Sequence, residues 1–198
     1  MPSILTIIRR PTDAFEALAQ SETDPLAVFF KQIVWLALAP PVFAFVGASV
    51  FGWRLGAAQP LYLSGDVLTQ ISIAYFFALL FGLVSTAFVG RWMAPTYGAS
   101  DALGTHLALV GVVATPLVAG SVLHLFPHVF VNLLVLIPAL IWSIYLLYKG
   151  LPIALGTGPE RGMLMASSLV AYLLVGTVTL LGLTVALWAG GIGPSIGV

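Results

Sequence analysis

Apolar residues run along this chain in five long blocks with polar punctuation between them, not in the alternation or narrow stripe of a half-buried strand or surface helix. The first block opens at Asp24-Pro25, an aspartate suited to the N-cap and a proline suited to the first helical position, and extends to about Trp53. The others run from about Val67 to Val89, Leu103 to Leu125, Val129 to Tyr148 and Met163 to Trp188. Each is near or above the roughly 20 residues that a helix needs to cross a bilayer core. Because lipid offers backbone groups no partner, the pattern predicts an all-α polytopic membrane bundle of five transmembrane helices.

Ahead of the first block, Ile4, Leu5, Ile7 and Ile8 precede Arg9-Arg10-Pro11, and Asp13-Ala14-Phe15-Glu16 reads as a capping pair. Apolar residues beside paired arginines suit the acyl boundary and its headgroups, which predicts a short N-terminal interfacial helix. The separators are Gly56 to Asp66, Arg91 to Asp101, Phe126-Pro127-His128 and Lys149 to Gly162, all too short for a soluble domain. The chain therefore divides into an interfacial segment 1–24, a five-helix domain 25–190 and a tail 191–198. Pro40-Pro41 predicts a kink in the first span, Gly150 an end to the fourth helix, and Pro159 a start near the fifth.

Composition strengthens this picture. Of 198 residues 60% are hydrophobic and 7% charged, far below the roughly one-quarter charged share of soluble domains. Seven cations balance seven anions with no basic, aromatic-interleaved stretch, which argues against nucleic acid as a partner. The absence of cysteine excludes disulfides, thiolate metal sites and thiol nucleophiles. Arg9, Arg10, Lys31, Arg91, Lys149 and Arg161 fall on the N-terminal side of the spans and Arg54 on the other, which predicts a cytoplasmic N-terminus and a periplasmic or extracellular C-terminus.

Candidate chemistry is sparse. Ionisable groups crowd at span ends, away from the bilayer middle where they would mark an ion path. Gln70, His106 and Asn132, with Ser143, are intramembrane polar positions, better suited to hydrogen bonds between helices than to lining a solute path. His106 lies toward one surface, His124 and His128 toward the other, so the three cannot easily share a metal; no metal or cofactor is expected. Ser100-Asp101 lies near His106 without a nucleophile elbow, so we read it as the cap of the third helix and expect no catalytic site. Arg91, Lys149, Glu160 and Arg161 emerge on one face, where a protein or lipid headgroup can dock. The small-residue stripes Gly82-Thr86-Gly90 and Gly182-Ala186-Gly190 are expected to pack within the chain, with a homo-oligomer or membrane-protein partner as the alternative.

Ala114-Thr-Pro116-Leu117, the later Pro127, Trp142-Ser-Ile-Tyr145-Leu-Leu-Tyr148-Lys-Gly150-Leu151-Pro152 and Pro159-Glu-Arg161 follow one another in an order that resembles the Yip1 family, specifically its compact bacterial members. Pro11 to Leu18 resembles the family's interfacial opening, and Tyr97-Gly98 its turn before the third span. The resemblance implies five membrane helices with a cytoplasmic N-terminus, the topology reached separately by counting cations. Eukaryotic relatives are associated with vesicle trafficking and small GTPases through longer cytosolic regions; this chain has about 25 residues there and lacks their Asp-Leu-Tyr-Gly-Pro stretch, so that partnership is not carried over. The expectation is a noncatalytic protein of the bacterial inner membrane that scaffolds or modulates a membrane partner or lipid organisation. The alternatives are a small transporter or channel, or an accessory subunit of a larger complex.

Overall fold

A computed structural model describes residues 10–54 and 59–191; Ile4 to Arg9, Gly56 and the tail from residue 192 lie outside the described residues. The described chain forms six helices, α1 (Pro11–Ala19), α2 (Pro25–Phe51), α3 (Gly65–Tyr97), α4 (Leu103–Gly120), α5 (Val129–Leu155) and α6 (Pro159–Ala189). A 3₁₀ turn, Ser121–Leu125, prolongs α4, and five helices are long and apolar enough to cross a membrane. No strand occurs among the described residues, where two isolated bridges join Trp53 to Leu61 and Arg54 to His128.

Local chemistry explains most boundaries. Asp24 caps α2 by accepting from the amides of Leu26 at 3.3 Å and Ala27 at 3.0 Å, with Pro25 in the first turn. Pro159 sits likewise at the start of α6. α1 differs from the expected capping pair: it begins at Pro11 with no side-chain cap, and Asp13 occupies its first turn. Nor do Ser100 and Asp101 cap α4, whose N-cap is Ala102 with no side-chain bond.

Three helices outrun their apolar blocks. α3 continues past Arg91 to a left-handed Gly98 at φ 64°, α5 past Lys149 and Gly150 to a left-handed Gly156 at φ 66°, and α6 begins before Met163. A charge ends a hydropathic run, but backbone hydrogen bonding continues until a residue able to adopt positive φ closes the helix. Within α2, helix runs through the buried pair Pro40-Pro41, and its departure from α geometry comes earlier, as a π turn at Phe29–Ile33. Prolines are tolerated there because neighbouring helices and local adjustments re-satisfy the freed backbone groups.

The core sits at one end of the bundle, where α1 lies, α2, α4 and α6 begin, and α3 and α5 finish. α5 buries Ser143, Leu146, Leu147, Gly150, Leu151, Ala154 and Leu155, all in its second half; α6 buries Gly162, Met165, Ala166 and Leu169, all in its first. Every residue of α6 from Thr177 to Ala189 is exposed. At the opposite end the α2–α3 connection pairs with the α4–α5 turn, Arg54 donating to the Pro127 carbonyl at 3.0 Å, and Phe51 stacks on Phe126 at 5.7 Å.

Candidate functional site

At the α1 end, glycines act as sockets for groups from other elements. Apolar helices gain nothing from the hydrophobic effect by meeting in lipid, so close contact depends on small residues that let surfaces approach. Gly150 of α5 receives the ring of Phe15, which is fully buried; Gly104 of α4 receives the backbone carbonyl of Thr23; Gly111 receives the amide of Gln32. At Gly90 of α3 a Cβ would stand 2.9 Å from Nδ1 of His106, and at Gly162 of α6 one would stand 2.7 Å from the Pro152 ring. Ala14, Phe15 and Leu18, one face of α1, are thereby buried, while Asp13, Glu16 and Ala17 face outward.

Polar bonds lock the same end. The Ser100 amide donates to the Leu155 carbonyl at 2.9 Å, and the Thr157 hydroxyl donates to the Tyr97 carbonyl at 2.7 Å, tying the α3–α4 and α5–α6 connections together. His106, 2% exposed, donates from Nε2 to the Ser100 carbonyl at 2.9 Å, which fixes the proton on that nitrogen. Tyr97 meets Ser168 at 3.0 Å and Tyr148 meets Ser167 at 2.8 Å. Both serine hydroxyls already donate to carbonyls of their own helix, so the tyrosines are the donors. Thr23 and Thr105 bond at 3.2 Å, joining the segment after α1 to α4.

Of the four docking candidates, Arg91, Glu160 and Arg161 are exposed at this end. Gly98 abuts the Arg161 guanidinium, where a Cβ would approach Nη1 to 3.2 Å, so the end of α3 lies beside the start of α6. Lys149 is half-buried and committed within its own helix: Nζ donates to the Tyr145 hydroxyl at 3.2 Å and stands 5.6 Å from that ring's centre. The ion pair found among the described residues, Arg10 with Asp13 at 3.8 Å, involves none of the four.

The intramembrane polar candidates are not brought together. His106 belongs to the α1 end, whereas Asn132 belongs to the opposite turn, accepting on Oδ1 from His124 Nδ1 at 2.5 Å and donating from Nδ2 to the carbonyls of Phe126 and His128 at 3.0 Å each. The length of α4 and its 3₁₀ extension separates the two by about 28 Å. Gln70, near the start of α3, is exposed. Ser143 Oγ and His128 Nδ1 are buried without a partner among the described residues, and no group of three or more His, Asp or Glu is placed there to hold a metal. The stripes divide as well: Thr86 and Gly90 pack inside, while Gly82 and Gly182 have no neighbour within 4 Å of a built Cβ. The expected internal packing of the second stripe is therefore not what α6 does, because that half of the helix leaves the bundle.

Sequence reasoning found the polar termini and missed the sockets, since Gly150 and Phe15 meet across most of the chain. The π turn carrying Gln32 also had no sequence signal.

Five apolar spans, one end locked by glycine contacts and inter-helix hydrogen bonds, define a multi-pass helical membrane protein. The chain matches the Yip1 domain over residues 5–180 and belongs to that family. It is 33% identical over 163 residues to the inner membrane protein YohC of Escherichia coli strain K12, covering 82% of this chain and 84% of that one. The YohC of Escherichia coli O6:H1 strain CFT073 matches over the same extent at 33% identity. No solved structure matches the chain significantly.

Proposed function

We propose that this protein is a noncatalytic component of the bacterial inner membrane that scaffolds or modulates a membrane partner or local lipid organisation, acting from an α1 end that faces the cytoplasm. The observation that carries this reading is a contrast at that end. Helix termini are cross-tied through Ser100, Tyr97, Thr157 and His106, yet Arg91, Glu160 and Arg161 stand exposed without an ion-pair partner among the described residues. Charges held on a pre-organised surface lose little freedom on binding, which favours docking. The orientation rests on the excess of Lys and Arg on this side, and the compartment on the inner-membrane relatives.

A photo-crosslinking residue at Arg161 in living cells is expected to capture one defined protein or lipid, with the yield falling when Arg91 and Glu160 become alanine. Capture of neither, or a yield indifferent to those changes, contradicts the reading.

The exposed run Thr177 to Ala189 supports a second reading, an accessory subunit or homo-oligomer contacting its partner through α6. In this cysteine-free chain, Ala186→Cys is expected to form a disulfide-linked dimer in native membranes if the partner is a second copy.

A further inference from the structure

Between α1, the segment that follows it, α2 and α4 lies a groove of about 800 Å³. It is made by different elements from those carrying Arg91, Glu160 and Arg161, and the inference drawn from it goes beyond the docking reading. The groove has two chemically distinct parts. Its mouth carries the carboxylates of Asp13, Glu22 and Asp24 and the ammonium of Lys31, and its wall includes Gln32, whose Oε1 is buried with no hydrogen-bond partner among the described residues. Its floor is apolar and deep, reaching Leu36 on α2 and Val112 and Thr115 on α4. Thr115 adds no free polarity, since its hydroxyl donates to the Gly111 carbonyl at 2.9 Å.

Depth decides what kind of molecule fits. From Pro25 to Leu36 and from Leu103 to Thr115, at the α-helical rise, the floor extends about 16–18 Å from the helix starts. That is roughly half the thickness of a bilayer's hydrocarbon core, of about 30 Å. A soluble cation or basic peptide needs no such floor; an acyl chain does. The volume lies within the roughly 300–1,000 Å³ of ligand sites, enough for a headgroup and part of a chain.

Charge decides the headgroup. Three carboxylates stand against the Lys31 ammonium and the Arg10 guanidinium, which pairs with Asp13 at 3.8 Å, so the mouth keeps a net negative charge that repels a net-anionic lipid, while Lys31 can still pair with a phosphate. The carboxylates at the mouth accept hydrogen bonds, which a primary ammonium supplies and a quaternary one does not. We propose that this groove binds a phospholipid with a primary-ammonium headgroup: the ammonium meets Asp13 and Glu22, the phosphate meets Lys31, and an acyl chain follows α2 and α4.

The test is competitive retention measured by native mass spectrometry on the full chain in detergent, offered equal amounts of phosphatidylethanolamine, phosphatidylcholine and phosphatidylglycerol with identical acyl chains. Phosphatidylethanolamine is expected to be retained roughly three- to fivefold over either competitor, the scale of a few partly exposed charge contacts. Asp13 and Glu22 are exposed, so Asp13→Asn with Glu22→Gln leaves the fold intact and is expected to erase the preference. Ala27→Phe, which fills the groove, is expected to lower retention of all three lipids. Equal retention, a preference for phosphatidylglycerol, or a preference unchanged in the double variant overturns the proposal. So does equal competition by glycerophosphoethanolamine, which carries the head without chains, or by Mg²⁺ alone, because either would leave the floor without a role.

Discussion

Gly150→Ala tests the docking of α1 most sharply. The added methyl would lie 2.6 Å from Phe15 Cε2 and nearer still to two other ring carbons, against the roughly 3.5–4.0 Å at which carbon pairs settle. The ring must retreat by about 1 Å, yet Phe15 is fully enclosed. Overpacking of this kind costs about 1–3 kcal/mol. Against it stands the burial of Phe15 and Leu18, each contributing about 1.5–3 kcal/mol where α1, which lies outside the five spans, opens into water. The second quantity is larger, so α1 should remain mostly docked but open about 5- to 140-fold more often, at about 1.4 kcal/mol per tenfold. The chain has no cysteine, so Ala14→Cys, at a position 1% exposed, gives a single reporter. Its maleimide labelling rate in lipid discs is expected to rise by that factor when Gly150→Ala is added. With Phe15→Ala already present there is no ring to displace, and Gly150→Ala should add little. An unchanged rate in the first comparison, or an equal increase in the second, would mean that the Phe15 ring does not seat against Gly150.

Two further substitutions separate packed from open glycines. Gly90→Ala places a methyl 2.9 Å from Nδ1 of a His106 ring already held by the Ser100 carbonyl, and should destabilise the bundle by about 1–3 kcal/mol, read as a lower unfolding midpoint in detergent. Gly182→Ala meets open space and should shift the same midpoint by no more than about 0.5 kcal/mol; a loss like that of Gly90→Ala would mean that this half of α6 is packed after all.

What the sequence disclosed was what short-range chemistry controls. The five spans, the Asp24 cap, and the proline opening α6 depend on a few adjacent residues and were legible. The ends of α3 and α5 were misplaced at Arg91 and Lys149, because hydropathy reports where lipid ends rather than where backbone bonding stops; Gly98 and Gly156 mark the latter. Gly150 illustrates the deeper limit. As a local signal it reads as a helix terminator, but its use is a contact with Phe15, a residue far away in sequence whose position only the fold supplies. The same holds for the candidate sites: Arg91, Glu160 and Arg161 were recognisable as charges at span ends, whereas the groove needs α1, α2 and α4 assembled before its polar mouth and apolar floor line up.

The claim that the α1 end is a docking face is tested most directly by extracting the protein into native lipid discs and weighing what stays bound. A stoichiometric protein or lipid is expected that is retained by the wild type and lost when Arg91, Glu160 and Arg161 are all alanine. Discs that carry no companion beyond a lipid in the α1–α2–α4 groove, or whose further companion is equally retained by the triple variant, would contradict it.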